Sequence, residues 1–196
     1  MSTDALWYLA RGSGVVSLVL LTTVVVLGIA TRRGRSFLGL PRLAVVTVHR
    51  STALMAVVFL VVHVTTLMFD PYAQLRVVDL VLPFTAEYRP LWTGLGTLAL
   101  DLTLALVVTS LARDRLPLKA WRGVHLAAYA LWPMALLHGV FTGTDRTSLW
   151  MIAVDVACLA AVAGALVIHP ALQETPAAAR RPAARTASRP RQEALR

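Results

Sequence analysis

Long apolar runs alternate with short polar breaks along the whole chain. Runs at about 13–31, 43–69, 91–112, 121–142 and 149–169 are almost free of charge, and each reaches the roughly 20 residues a helix needs to cross a hydrocarbon core of about 30 Å. Backbone in lipid has no water to bond, so an apolar run of this length reads as a helix that satisfies its own N–H and C=O groups. The pattern predicts an all-α integral membrane bundle of five transmembrane spans. Segment 70–90 is different. It opens Asp70-Pro71, carries Pro83 and Pro90, and holds only a short amphipathic stretch from Leu75 to Phe84, too short to span and expected to lie on the membrane surface.

Composition narrows this further. The 196 residues are 57% hydrophobic and 15% charged, against about 25% charged in a soluble domain. Five spans leave room only for short loops and termini, so residues 1–170 read as one membrane domain. Residues 171–196, rich in Ala, Pro and Arg, lack apolar periodicity and read as a disordered tail. The N-terminus has Asp4 and Arg11 before an apolar run that ends Thr31-Arg32-Arg33. That is the reverse of a signal peptide's basic start and small-residue cleavage site, so the run reads as the first span. The single cysteine, Cys158, lies within an apolar run; one thiol builds neither an intrachain disulfide nor a cysteine-ligated metal or iron–sulfur site.

The formal charge of +9 changes meaning once it is placed. The stretch after span one, with Arg32, Arg33, Arg35, Arg42 and Arg50, carries +5; residues 113–122 carry +3 and the tail +4. Residues 1–14 and 143–148 are neutral, and 70–90 sums to −1. All the excess falls on one side of the five spans. By the positive-inside rule the N-terminus is then outside and the C-terminus cytoplasmic, in a multi-pass protein of the cell membrane. The basic balance is thereby accounted for without nucleic acid, and the tail's arginines suit anionic lipid.

Four of the five histidines fall in two spans that cross in the same direction: His49 and His63 in the second, His125 and His138 in the fourth. Two cross-span pairs follow, His49 with His125 and His63 with His138. Fourteen residues at about 100° each come within about 40° of four turns and rise about 21 Å, so His49 and His63 share a face at opposite depths. Thirteen residues fall about 140° short of four turns. Pro133 lies in that interval, and its missing N–H and its clash with the Tyr129 carbonyl can kink or retwist the helix. Neutral imidazole is a good axial ligand for haem iron, and a porphyrin between two helices takes one nitrogen from each side. Two such sites would form an electron path across the bilayer. The alternatives are packing or interfacial histidines, and a transporter or metal-binding membrane protein using the same histidines with Asp101.

The stretches HRSTALMAVVFLVVH at 49–63 and HLAAYALWPMALLH at 125–138 resemble the ferric reductase-like transmembrane domain family. That family includes ferric reductases, the membrane part of NADPH oxidases, and the haem-binding membrane subunit of the bacterial methionine sulfoxide reductase system. The resemblance covers about residues 10–170, and NADPH oxidases also pair an interval of 14 with one of 13. It implies that these histidines are axial ligands of two b-type haems, the inner on His49 and His125 and the outer on His63 and His138. Larger members append a flavin- and nicotinamide-binding domain. Here about 26 residues follow the last span, and no G-x-G-x-x-G fingerprint follows a strand. The expected electron donor is therefore a separate quinol or flavoprotein, the acceptor is unnamed, and the chain reads as an oxidoreductase component without catalytic residues of its own.

Other residues fit this picture in more than one way. Gly14 and Gly28 are fourteen apart on span one, and Gly94 and Gly96 open span three; each pair could admit a flat macrocycle or a neighbouring helix. Arg50 and Arg122, beside the inner histidines, suit either haem propionates or positive-inside anchoring, and Arg11 could serve the outer haem. Asp101 and Asp155 lie within spans, where a carboxyl must be neutral, hydrogen-bonded or paired. Asp155 could orient a ligating imidazole, and Asp101 could accept a proton near a quinol site.

Overall fold

The computed structural model describes residues 3–31 and 41–171. The disordered-tail reading of 171–196, the arginines at 32, 33 and 35, and the side chain of His169 lie outside the described residues. All described secondary structure is helical: α1 (Thr3–Thr31), α2 (Arg42–Met68), a 3₁₀ turn (Val77–Leu80), α3 (Pro90–Leu111), a second 3₁₀ turn (Arg113–Arg115), α4 (Leu118–Leu126), α5 (Ala128–Thr142) and α6 (Leu149–Ala171). Five helical stretches among them are long and apolar enough to cross a membrane, with α4 and α5 together making the fourth.

Helix α1 is the organising element. Its stripe Leu18, Val25 and Ile29 packs against Trp132 and Leu136 of α5 and Cys158 and Val162 of α6. Spacings of three, four and seven put such residues on one helix face. Thr22 lies on that same stripe, and its Oγ1 accepts a 2.9 Å hydrogen bond from Trp132 Nε1. Lipid tails are as apolar as leucine, so close packing and a bond of this kind, rather than exclusion of water, hold spans together. On its other face α1 runs along α2, while α3 packs on α5 and α4. Between them these helices enclose a cavity of about 1860 Å³. Val58 and Val61 of α2 and Leu104 and Val108 of α3 point outward, as lipid-facing residues do.

The fourth span is broken. Helix α4 ends at Leu126 and α5 begins at Ala128, with Ala127 N–H bonded to the Val124 carbonyl in a tighter 3₁₀-type turn. Pro133 sits one turn and a half into α5, where its ring nitrogen has no N–H to donate to the helix.

Segment 70–90 is largely irregular. Only Val77–Leu80 is helical, and the segment folds over the end of α3. Its anchor is Asp79, 2% exposed. The carboxylate accepts bonds from Arg76 N (2.9 Å), Arg76 Nε (3.1 Å), Arg76 Nη2 (3.0 Å) and Thr85 Oγ1 (2.7 Å), while the Asp79 carbonyl takes the Thr97 hydroxyl at 2.7 Å. Phe84 adopts a left-handed φ of 68° and lays its ring on Gly94, where a Cβ would strike the phenyl and the Phe84 backbone nitrogen. Arg89, also left-handed at φ 44°, donates to the Phe141 carbonyl, and Tyr88 OH to the Thr142 carbonyl. The segment thus caps one end of the cavity.

The Arg76 guanidinium and the other donors hold the Asp79 carboxyl well below the usual carboxylate range. Its contribution is therefore fully present at neutral pH, begins to fall once pH drops below the ordinary carboxylate value of about 3.9, and is gone by the time pH has fallen through the depressed value. Asp79→Asn removes the charge at every pH. Limited trypsin digestion of that variant is expected to cut after Arg76 severalfold faster at neutral pH; an unchanged rate would show that the cap does not depend on this carboxylate.

Candidate functional site

The cavity brings the four histidines together in two pairs. The rings of His49 and His125 lie 6.4 Å apart between centroids at 59°, and those of His63 and His138 lie 6.4 Å apart at 82°. All four line the cavity. The thirteen-residue interval does not spoil the second pairing, because the break at Ala127 falls between His125 and His138.

Each ring is held from behind. His63 Nδ1 donates to the Ala10 carbonyl (2.7 Å), His49 Nδ1 to the Val24 carbonyl (3.1 Å) and His138 Nδ1 to the Trp92 carbonyl (2.9 Å). Thr142 Oγ1 lies 3.3 Å from the same nitrogen of His138. A carbonyl only accepts, so Nδ1 carries the proton and Nε2 keeps its lone pair for the cavity. In all three cases a glycine stands four residues beyond the accepting carbonyl: Gly14 after Ala10, Gly28 after Val24, Gly96 after Trp92. The Cα–Cβ bond leans toward the helix N-terminus, so a side chain at that position would cover the carbonyl. Glycine leaves it open. A Cβ at Gly14 would fall 2.8 Å from His63 Nδ1, one at Gly96 2.5 Å from His138 Nδ1, and one at Gly28 3.5 Å from His49 Cε1. Of the glycines singled out in the sequence, Gly94 belongs to the cap and the other three to the imidazoles.

The fourth ring, His125, lies face to face with Trp121 one turn earlier, centroids 4.8 Å apart and planes at 19°. Arg113 places its guanidinium 4.9 Å from the same indole. The cavity-lining Trp121 also has a buried Nε1–H without a hydrogen-bond partner. Sequence reasoning missed Trp121; its only trace was the i, i+4 spacing that puts it on the face of His125.

Arg50 and Arg122 are exposed at the rim of the cavity, at the His49–His125 end. Arg11 is committed elsewhere: Nη2 pairs with Asp145 Oδ2 at 2.8 Å, Nη1 donates to Thr144 Oγ1, and the guanidinium sits 4.9 Å from the Trp7 ring. It closes the opposite end by tying α1 to the α5–α6 loop. Asp155 is buried in α6, and neither it nor Asp101 lines the cavity. The imidazole hydrogen bond that the sequence allowed to Asp155 is made by the backbone carbonyls of Ala10, Val24 and Trp92. Among the described residues no three His, Cys, Asp or Glu side chains gather as a metal-binding cluster.

A family model described as ferric reductase like transmembrane component matches residues 13–136, more than half of the chain. The chain belongs to the ferric reductase-like transmembrane component family. The match takes in α1 from Ser13 through most of α5, including His49, His63 and His125, and stops two residues before His138. Membership makes this a multi-pass membrane protein of a redox family. No curated protein and no solved structure matches the chain.

The paired rings fit a haem. An imidazole nitrogen binds a metal at about 2.0–2.1 Å and lies about 1.15 Å from its ring centre, as C–N bonds of about 1.33 Å in a five-membered ring require. Two imidazoles on opposite faces of one iron therefore need centroids roughly 6.4 Å apart, the separation found in both pairs. The cavity of about 1860 Å³ exceeds the roughly 300–1,000 Å³ of a pocket for one drug-sized ligand.

Proposed function

We propose that this protein is a membrane cytochrome b that carries electrons across the bilayer through two bis-histidine haems, as the membrane component of a ferric-reductase-like or other oxidoreductase system. The observation that carries the reading is the common 6.4 Å ring separation in both pairs, together with Nδ1–H bonds that leave Nε2 available. Haem iron supplies reversible one-electron chemistry when bound, with its potential tuned by axial ligands and their hydrogen bonds.

The chain's own residues do the rest. Carbonyls of α1 and α3 fix the tautomer and orientation of three imidazoles and raise their basicity as ligands. Arg50, Arg122 and Trp121 Nε1–H offer donors for carboxylates at the His49–His125 end. The cap of 70–90 and the Arg11–Asp145 pair limit water at the other end. The basic residues around Arg50 and Arg122 support a cytoplasmic position for that end in a cell-membrane protein. Electrons enter there from a separate quinol or flavoprotein and leave beneath the cap to an external acceptor. The described residues contain no strand, hence no nucleotide crevice of the Rossmann type.

A cation pathway on the same histidines is the rival reading. It needs a cluster of ligands, and the rings are arranged in two separated pairs, with Asp101 outside the cavity. The deciding experiment is an absorption spectrum of the full chain purified from cells supplied with haem precursor, oxidised and then dithionite-reduced. Reduced b-type bands at two haems per chain are expected; their absence would overturn the cytochrome reading.

A further inference from the structure

Three of the imidazoles are oriented by one device, a backbone carbonyl exposed by a glycine four residues on. The glycines repeat at fourteen-residue intervals on α1, matching the depths of His63 and His49. On α3 the position fourteen residues beyond Gly96 is Ser110, so the glycine device is not repeated at the depth of His125. What lies on the His125 ring is Trp121, nearly parallel at 19° and 4.8 Å between centroids. Both residues belong to α4, one turn apart.

The indole is itself held. The Arg113 guanidinium, from the turn that joins α3 to α4, sits 4.9 Å from its centroid. This cation–π contact links the end of α3 to the α4 face that carries His125. An aromatic plate against an imidazole restricts rotation of the ring about its Cβ–Cγ bond, because turning the ring edge-on would drive it into the plate. The ring plane of an axial imidazole sets how it overlaps with the iron d orbitals, so whatever fixes that plane also fixes the electronic state of the iron.

We propose that Trp121, held by Arg113, is a positioning residue for His125, setting the plane of its imidazole. The inference rests on the haem reading above. It makes the two sites unequal, because an indole lies stacked on His125 at the His49–His125 site. That site is consequently the one whose electronic state responds to changes at the basic surface, since Arg113 is exposed there.

The test uses the full chain with haem bound, low-temperature electron paramagnetic resonance of the oxidised protein, and potentiometric titration of the reduced bands. His125→Ala first identifies which low-spin signal belongs to the His49–His125 site. Trp121→Leu and Trp121→Met are expected to broaden and shift that signal and move the midpoint potential of that haem, leaving the other haem as in the parent. Trp121→Phe, which keeps the plate and loses only the indole N–H, is expected to return the line to its parent width, with any remaining change confined to the midpoint potential. Arg113→Gln, a surface change that does not threaten folding, is expected to broaden the same line to a smaller degree. An unchanged line in the Leu, Met and Gln variants overturns the proposal, and so does equal broadening at both haems, which marks a general packing role. A parent protein without b-type bands removes the cytochrome reading and this inference with it, whereas parent bands with an unaffected Trp121 series remove the inference alone.

Discussion

Alanine at position 96 is expected to empty the His63–His138 site, and alanine at position 28 to leave both sites filled. The difference follows from how far each added methyl lies from its imidazole. At Gly96 a Cβ would fall 2.5 Å from Nδ1, 2.6 Å from Cε1 and 3.0 Å from Cγ of His138, well inside carbon–nitrogen contact. The ring cannot retreat without giving up its bond to the Trp92 carbonyl. At Gly14 the clash with His63 is slightly milder, 2.8 and 2.9 Å. At Gly28 the nearest His49 atom is 3.5 Å away, an ordinary contact. Overpacking of this kind costs typically 1–3 kcal/mol, and each 1.4 kcal/mol is tenfold in affinity, so G96A and G14A should retain their shared haem roughly ten- to a hundredfold more weakly. Haem content per chain and the size of the reduced bands give the ranking 96, then 14, then 28. G12A and G164A are the controls, because neither glycine lines the cavity, an added Cβ meets nothing within 4 Å there, and alanine favours the helix by up to about 1 kcal/mol. A G96A protein with two full haems would mean that the Trp92 carbonyl does not orient His138.

The features legible in the sequence were those with a period. Five apolar runs gave the five spans, and the interval from His49 to His63 put two imidazoles on one face, because both depend only on helical repeat. The equal fourteen-residue spacing of Gly14 and Gly28 also carried the answer, although packing of two helices explains it equally until the imidazoles are seen against those grooves. What escaped was set by tertiary contact. Nothing local distinguishes Gly94, which receives Phe84 from a loop, from Gly96, two residues on, which receives His138. The amphipathic reading of Leu75–Phe84 did not foresee that Asp79 is drawn inward by Arg76, Thr85 and Thr97, because a hydropathy pattern does not register such a network. Asp155 drew attention as the carboxylate at the right depth. Backbone carbonyls, which every residue possesses and no motif marks, took the role instead. Pro133 signalled disturbance in the fourth span, but the break itself lies at Ala127, six residues earlier.

Single replacement of any of the four histidines by alanine is expected to remove the six-coordinate low-spin signal of one haem and spare the other; the double variants then reveal which rings are partners. A ligand pair acts as a unit, so removing the second member costs nothing more once the first is gone. His49→Ala with His125→Ala should therefore look like either single variant, keeping half of the low-spin signal. His49→Ala with His138→Ala should keep none, and the same holds for His63→Ala with His125→Ala. The prediction is strong because depth forbids any other arrangement: fourteen helical residues separate His49 from His63 by about 21 Å along the axis, far beyond the reach of one macrocycle, while each proposed pair lies within 6.4 Å. A cation pathway makes the opposite forecast, since four ligands in series would each be needed for passage and no pair would be silent after its partner. A half signal surviving in the His49–His138 double variant would break the pairing on which the two-haem path depends.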